Sequence, residues 1–237
     1  MRLLDLTLPT AAENLALDEA LLVAAEEGSG GAVLRFWENP GVAVVLGAGG
    51  SVALDVNVPA CEAGGVPILR RASGGGTVLV GPGCLCFSLV LAYASAPGLH
   101  DITASNRYVL GRVRNALWPV VSATMEGTSD LAANGVKFSG NAQQRKREHF
   151  LHHGTLLCGF DLALMAKYLN TPERQPDYRR DRPHEEFVMN LPVPAAELKR
   201  LLAAEWQAES EYGPLPWGTA QALLAEKYSR DEWHRRR

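Results

Sequence analysis

Three short segments carry residue types whose spacing could do chemistry. The first is Arg70-Arg71-Ala72-Ser73-Gly74-Gly75-Gly76-Thr77. Successive glycines let a backbone come close to a ligand and turn its N–H groups toward an anion. The two arginines ahead of them can neutralise a carboxylate or phosphate through paired N–H donors. The segment is not a Walker A loop, because no Gly-Lys-Ser/Thr follows, and it is not a G-x-G-x-x-G dinucleotide fingerprint. On residue type alone it also fits a flexible turn with solvated arginines.

The second segment is Gly135-Val136-Lys137-Phe138-Ser139-Gly140-Asn141-Ala142-Gln143. A lysine held in such an apolar stretch can stabilise charge that develops on a carboxylate or phosphate; a solvated edge-strand lysine is the plainer alternative. The third is His149-x-x-His152-His153-Gly154-Thr155. No carboxylate or cysteine stands at ligand spacing to complete a metal set, and neighbours on a strand face opposite ways. We therefore expect an orienting histidine here, using both ring nitrogens.

These segments must be positioned by a chain of 237 residues with 23 Lys+Arg against 26 Asp+Glu, a net charge of −3. That balance argues against a protein that grips nucleic acid by its phosphates. The hydrophobic share of 47% is ordinary globular composition and excludes collagen-like and disordered classes. Four cysteines, Cys61, Cys84, Cys86 and Cys158, form no disulfide framework and suggest a reduced, cytoplasmic setting. No signal peptide or membrane-spanning run is expected, and no composition shift marks a boundary, so residues 1–237 are expected to form a single domain.

Thr10-x-x-Glu13 has the pattern of a capping box, followed by a helix to about Glu27. Strands are expected at Ala32–Trp37, Val42–Gly47 and Val66–Arg71. Thr77–Val80 and Leu85–Tyr93 are expected to form a hairpin around Gly81-Pro82-Gly83. Helices follow over Thr103–Trp118 and Asp161–Asn170, with short strands at Val136–Ser139 and Gly154–Cys158 flanking a basic stretch, Gln143–Glu148. Residues 171–194 are expected to be a long loop and a candidate lid. Helices near Ala195–Gln207 and Thr219–Tyr228 complete an α/β (α+β) pattern, a mixed, largely antiparallel sheet flanked by helices.

Taken in order, the segments resemble the catalytic-domain family of lipoate–protein ligase A, octanoyltransferase and biotin ligase, and look most like the lipoate–protein ligase branch. The resemblance runs from Asn14-Leu15-Ala16-Leu17-Asp18-Glu19 and Arg35-Phe36-Trp37 through the arginine–glycine segment to Gly83-x-Leu85-x-Phe87-Ser88. It continues in Ser129-Asp130-Leu131, the lysine segment, His152-His153-Gly154-Thr155-Leu156-Leu157 and Lys227-Tyr228…Trp233.

This resemblance implies a ligase that activates lipoate, or a related acyl acid, with ATP to an acyl-adenylate and passes the acyl group to a lysine of a lipoyl acceptor domain. It implies Lys137 as the catalytic residue. It places the acyl-adenylate against Arg70, Ser73, Gly74, Gly75, Gly76, Thr77, Ser139, Gly140, His153 and Gly154. It places the nucleotide near Asn141, Gln143, Arg145 and Asp130. Mg²⁺ would accompany ATP on phosphate oxygens, with Asp130 the carboxylate to watch. The expected partners are an acceptor-domain protein and a separate accessory-domain protein, since none is appended here; neither nucleic acid nor membrane is expected. One alternative is a transferase drawing on a carrier-protein thioester or another lipoylated protein. Such transferases use a cysteine upstream of the lysine segment, and residues 110–136 contain none. A second alternative is a non-catalytic protein that binds lipoyl domains.

Overall fold

The computed structural model describes residues 1–172 and 175–237. The chain starts with β1 (Arg2–Asp5) and α1 (Ala11–Glu26). The capping box is formed: the Thr10 hydroxyl accepts from the Glu13 N–H at 3.2 Å, and the Glu13 carboxylate accepts from the Thr10 N–H at 2.8 Å. Then come β2 (Val33–Trp37), β3 (Ala43–Leu46), α2 (Val52–Asp55), α3 (Val58–Gly64), β4 (Ile68–Arg70), β5 (Val78–Val80) and β6 (Cys84–Ala92). The middle holds α4 (Ile102–Leu117), β7 (Thr124–Glu126), β8 (Asp130–Ala133), β9 (Val136–Arg145), β10 (His149–Leu157) and α5 (Ala163–Tyr168). The rest comprises α6 (His184–Phe187), α7 (Ala195–Glu205), β11 (Ser210–Glu211), α8 (Trp217–Leu223) and α9 (Asp231–His234).

Eight strands form one sheet in the order β11-β1-β2-β6-β10-β9-β8-β7, and three form a second, β4-β3-β5. Among the described residues of the large sheet only the β11–β1 and β1–β2 pairs run parallel. One face of it packs on α4 and α7 through Leu34, Phe36, Leu85, Phe87, Leu89, Val109 and Leu198. The opposite face receives α1, whose Leu17, Leu21 and Ala25 meet Val33, Val90 and Leu151. Ala11, Leu15 and Ala16 of the same helix meet the small sheet. Helix α1 thus runs between two layers, so most of its residues are buried, Asn14, Asp18 and Glu19 among them.

Two expectations are corrected. Residues Val78–Val80 and Cys84–Ala92 do not form a hairpin: β5 pairs with β3, whereas β6 pairs with β2 and β10. Strand β6 is nine residues long and almost wholly buried, with β10 paired along all nine residues on one edge and β2 along five on the other. Both its edges are thus occupied, and Gly81-Pro82-Gly83 carries the chain between sheets. The basic stretch Gln143–Glu148 is not a link between short strands. Strands β9 and β10 are ten and nine residues long and pair directly, Phe150 opposite Arg145 and Gly154 opposite Asn141. Residues 171–194 are less open than a loop, for they hold a 3₁₀ turn at Asp177–Arg179 and α6; Glu173 and Arg174 lie outside the described residues.

Candidate functional site

A cavity of about 1160 Å³ opens between the two sheets. Leu15, Trp37, Val45, Leu79 and Leu157, all members of one packed cluster, form an apolar part of its wall. Arg71, Asp130, Lys137, His153 and Arg179 bring charge or polar groups to it.

The link from β4 to β5 is shaped by the second arginine of the pair. Arg71 is buried, and its guanidinium donates to the carbonyls of Val45 (3.1 Å), Gly74 (2.6 Å) and Gly76 (2.8 Å) and to the Ser73 hydroxyl (2.9 Å). Burial lowers its pKa to about 10, so it stays charged at neutral pH. Gly75 turns under it at φ 87°, a left-handed conformation that strains other residues. Gly75, Gly76 and Thr77 line the cavity.

Arg70 points the other way, as the alternation along an extended chain requires. It is fully buried behind the small sheet, donating to the carbonyls of Gly47 (3.0 Å), Gly50 (2.7 Å) and His234 (2.9 Å). It does not line the cavity. Residues 233–237 are thereby fastened to the root of the glycine loop, with Trp233 donating back to the Arg70 carbonyl at 2.8 Å.

On the α1 face of the large sheet, His153, Ser88 and Arg35 stand side by side in register on β10, β6 and β2. Asp18 covers the row. It accepts from Arg35 at 2.5 Å, Ser88 at 2.7 Å and Trp37 Nε1 at 3.2 Å, and lies 3.9 Å from His153 Nδ1. Burial alone would raise the Asp18 pKa, but Arg35, His153 and Ser88 hold it below the ordinary value. The other ring nitrogen of His153, Nε2, is 2.6 Å from the Ser73 hydroxyl. Asp18, His153, Ser73 and Arg71 therefore join the helix to the glycine loop.

Strand β9 carries a bulge. Leu131 of β8 faces Ser139 and the next residue, Ala132, faces Lys137, so Phe138 has no partner. The extra residue changes the parity of the strand. Lys137 and Gly140 share the cavity face, with the ammonium 3.1 Å from where a Gly140 side chain would start. Farther along, Gln144 reaches Glu19 of α1 at 2.9 Å. Gln143 and Arg145 turn to the opposite face: Gln143 donates to Asn106 (2.6 Å), and Arg145 donates to the carbonyls of Leu99 (2.8 Å) and His100 (2.9 Å). An unbroken alternation from Lys137 would have put both beside the cavity, and the structure does not. Asn141 lines the cavity and ties β9 to the turn before β8, donating to the Ser129 carbonyl (2.9 Å) and the Ser139 hydroxyl (3.0 Å). Gly154, opposite it on β10, has no room for a side chain because the Asn141 amide occupies that space.

The Lys137 ammonium lies 2.7 Å from Asp130 Oδ1, and the Tyr178 hydroxyl donates to Asp130 Oδ2 at 2.7 Å. Burial, with the Asp130 carboxylate next to it, pushes the Tyr178 phenol above its ordinary value. Residues 187–189 lie along β9, and the Met189 N–H donates to the Lys137 carbonyl at 2.8 Å. The proline-rich segment thus forms a wall of the cavity. Its contribution could not be read from the charge pattern, since Arg179-Arg180-Asp181-Arg182 reads as a solvated run. Asp18 and Arg35 did carry a signal, a charge of each sign inside apolar stretches. Among the described residues no group of three or more His, Cys, Asp or Glu side chains could hold a metal.

His152 faces α4, fully buried, with Nδ1 3.4 Å from the Gln143 amide. Burial, with His153 adding to it, lowers its pKa to about 3 from 6.5. The unfolded chain takes up this proton near pH 6.5 and the fold only near pH 3. The stability it contributes is therefore complete above pH 6.5 and lost as pH falls toward 3. Denaturation midpoints of His152→Leu should depend less on pH between 6.5 and 4 than those of the parent; an unchanged slope would contradict this.

Comparison with known proteins agrees with this architecture. Over 157 residues the chain is 35% identical to a Mycoplasma pneumoniae protein named "Probable lipoate-protein ligase A", a match covering 66% of this chain and 45% of that relative. The chain thus spans about half the length of the curated relatives it matches. A Thermoplasma acidophilum structure described as a bi-partite lipoate protein ligase with its E2 lipoyl domain superposes at TM-score 0.84 and 25% identity, over 99% of this chain and 95% of that one. A lipoate-protein ligase A structure bound with ATP has the same fold, at TM-score 0.85 and 24% identity, over 99% and 98% of the two chains. Residues 10–209 match the lipoyl protein ligase A/B catalytic domain. That match takes in α1, strands β2 to β10 and every cavity wall described above, and the chain belongs to the lipoyl protein ligase A/B catalytic domain family.

Proposed function

We propose that the chain is a lipoate–protein ligase. A lipoate carboxylate oxygen attacks the α-phosphorus of ATP, the bond from that phosphorus to the bridging oxygen breaks, and pyrophosphate leaves with the electron pair. The ε-amine of an acceptor-domain lysine then attacks the acyl carbonyl of the adenylate. An amide forms, AMP leaves, and the amine gives up a proton. Both steps gather negative charge at one place, which preorganised donors stabilise.

The observation that carries this reading is the Lys137 ammonium, standing at 2.7 Å from Asp130 in a cavity whose wall includes the loop shaped by Arg71. Lys137 would meet the carbonyl oxygen and the α-phosphate. The backbone of Ser73–Gly76, rather than Arg70, would meet the acyl-adenylate, with Thr77, Ser139, Gly140, His153 and Gly154 around it. Asn141 would lie on the nucleotide side, and Gln143 and Arg145 would support it from behind. The apolar wall around Trp37 and Val45 suits an acyl chain. Magnesium would travel on the phosphate oxygens of ATP. Residues 1–237 would act as one catalytic unit, and similarity to a chain described as bi-partite supports a separate accessory protein. The four free cysteines suit a cytoplasmic setting, and no helix among the described residues is long and apolar enough to cross a membrane.

A thioester-dependent transferase needs a thiolate. Cys86 borders the cavity, but burial, with Cys84 beside it, raises its thiol well above the ordinary value. Burial also raises Cys61 and Cys158. Intact mass spectrometry of a lipoyl acceptor domain, incubated with the chain, lipoate and Mg-ATP, should show one lipoyl adduct. Pretreating the chain with iodoacetamide should leave that yield nearly unchanged. Loss of the adduct on alkylation, with modification recovered only from an acyl carrier thioester, would establish the transferase instead. Acceptor binding without any acyl product would establish a binding protein.

A further inference from the structure

Among the described residues two arginines line the cavity, Arg71 and Arg179. Arg71 is engaged by the carbonyls of its own loop and by Val45. Arg179 is different. Only 3% of it is exposed, its Nε donates to the Arg182 carbonyl at 2.9 Å, and its Nη2 is buried with no hydrogen-bond partner among the described residues. No carboxylate among those residues pairs with it, and its guanidinium lies 4.8 Å over the Phe187 ring. A buried guanidinium nitrogen without an acceptor is costly.

The turn that carries Arg179 is held in place against strain. Arg180 and Asp181 both adopt left-handed backbone conformations, at φ 51° and 56°. For residues other than glycine each costs on the order of 1 kcal/mol, and such costs gather at functional sites. Arg182 fixes the turn from below, donating to the carbonyls of Gly135 (2.7 Å), Tyr178 (2.9 Å) and Arg179 (3.0 Å). His184, at the start of α6, also lines the cavity. Burial, then the charges of Arg179 and Lys137, lower its pKa to about 4. Three nitrogen-bearing side chains therefore converge here, while the one carboxylate bonded to them, Asp130, is shared between Lys137 and Tyr178.

We propose that Arg179 and His184, beside Lys137, form the seat of the polyphosphate tail, taking the β- and γ-phosphates of a nucleoside triphosphate and holding them as they leave as pyrophosphate. This rests on the adenylating reading of the site. The resemblance placed the nucleotide near Gln143 and Arg145, but both stand on the far face of β9, and of the arginines that line the cavity among the described residues Arg71 is engaged by its own loop.

The test is calorimetric titration of the intact chain with inorganic pyrophosphate, alongside a lipoate-dependent assay of pyrophosphate release from ATP. Arg179→Gln should weaken pyrophosphate binding about ten- to a hundredfold, and Arg200→Gln, on the exposed face of α7, should not. Because Arg179→Gln could disturb the turn, the His184 ring nitrogens of the parent protein are followed by NMR as well, and saturating pyrophosphate should shift them. Unchanged binding in a folded Arg179→Gln, unmoved His184 signals, or no pyrophosphate binding by the parent would each overturn the proposal. Arg179-dependent binding with no lipoate-dependent ATP cleavage would keep the site and discard the ligase. ATP cleavage with binding indifferent to Arg179 would do the reverse.

Discussion

Lys137→Ala should lower acyl transfer about a hundred- to a thousandfold or more while leaving the fold in place. The size follows from where the charge sits. Both half-reactions build negative charge, on the α-phosphate and on the acyl carbonyl oxygen, and one ammonium would serve both. An alanine at that position offers neither charge nor proton. The small effect on stability follows from exposure. The Lys137 and Asp130 side chains are 25% and 15% exposed, and partly solvated pairs contribute about 1 kcal/mol or less. The Lys137 carbonyl still accepts from Met189 in the variant, so the wall formed by residues 187–189 stays anchored. Single-turnover transfer to an acceptor domain, with melting temperatures within about 4 °C of the parent, is the expected pair of results. Full activity in this variant would remove Lys137 from the chemistry.

The largest effect on stability should come from Asp18→Ala. Arg35 is wholly buried, and Asp18 nearly so. Taking the carboxylate away leaves the guanidinium with the Asn14 side chain and the carbonyls of Asn14 and Leu6 as acceptors, and no counter-charge. Ser88 and Trp37 lose their acceptor too. Breaking a buried pair from one side costs about 3–5 kcal/mol, a large part of the roughly 5–15 kcal/mol that holds a domain together. Asp18→Asn should lie between the two, since an amide oxygen can still accept. The pH dependence has a definite sign. Asp18 titrates below its ordinary 3.8 in the fold, so its contribution is complete above that pH and fades as pH falls further. Denaturant titrations of parent and variant should therefore differ by a constant amount near neutrality and converge in strong acid. A loss under 1 kcal/mol at pH 7 would mean the pair is not the keystone the geometry indicates.

Much of the architecture was legible in local patterns. Thr10 and Glu13 announced the start of α1, and the apolar strands and helix periodicity announced a mixed sheet between helices. What was hidden was pairing at a distance. Nothing near Gly81-Pro82-Gly83 distinguishes a hairpin from a crossing between sheets, because that depends on what β6 finds at its edges. The same holds at the site. Lys137, the glycine loop and His153 stood out by residue type and order. Arg70 and Arg71 are indistinguishable by type, and only the direction of one extended residue sets which faces the cavity. That Gln143 and Arg145 face away from the cavity could not be read, because a bulge leaves no mark in composition. Tyr178, Arg179 and His184 were missed because a charged, proline-rich run looks solvated until a ring and a strand are packed beneath it.

The bulge at Phe138 also bears on how this strand tolerates change. Insertions and deletions usually settle in loops, and strands accept them poorly because each shifts the facing of everything beyond. Here the odd residue is already in place. Removing it would restore a regular ladder, and by local bonding alone would cost little. Yet the two ends of β9 could then no longer both face correctly, since Gln144 reaches α1 from the same side as Lys137 only across the extra residue. The strand is therefore a length standard: a change in its count of residues would turn one of its ends to the wrong face.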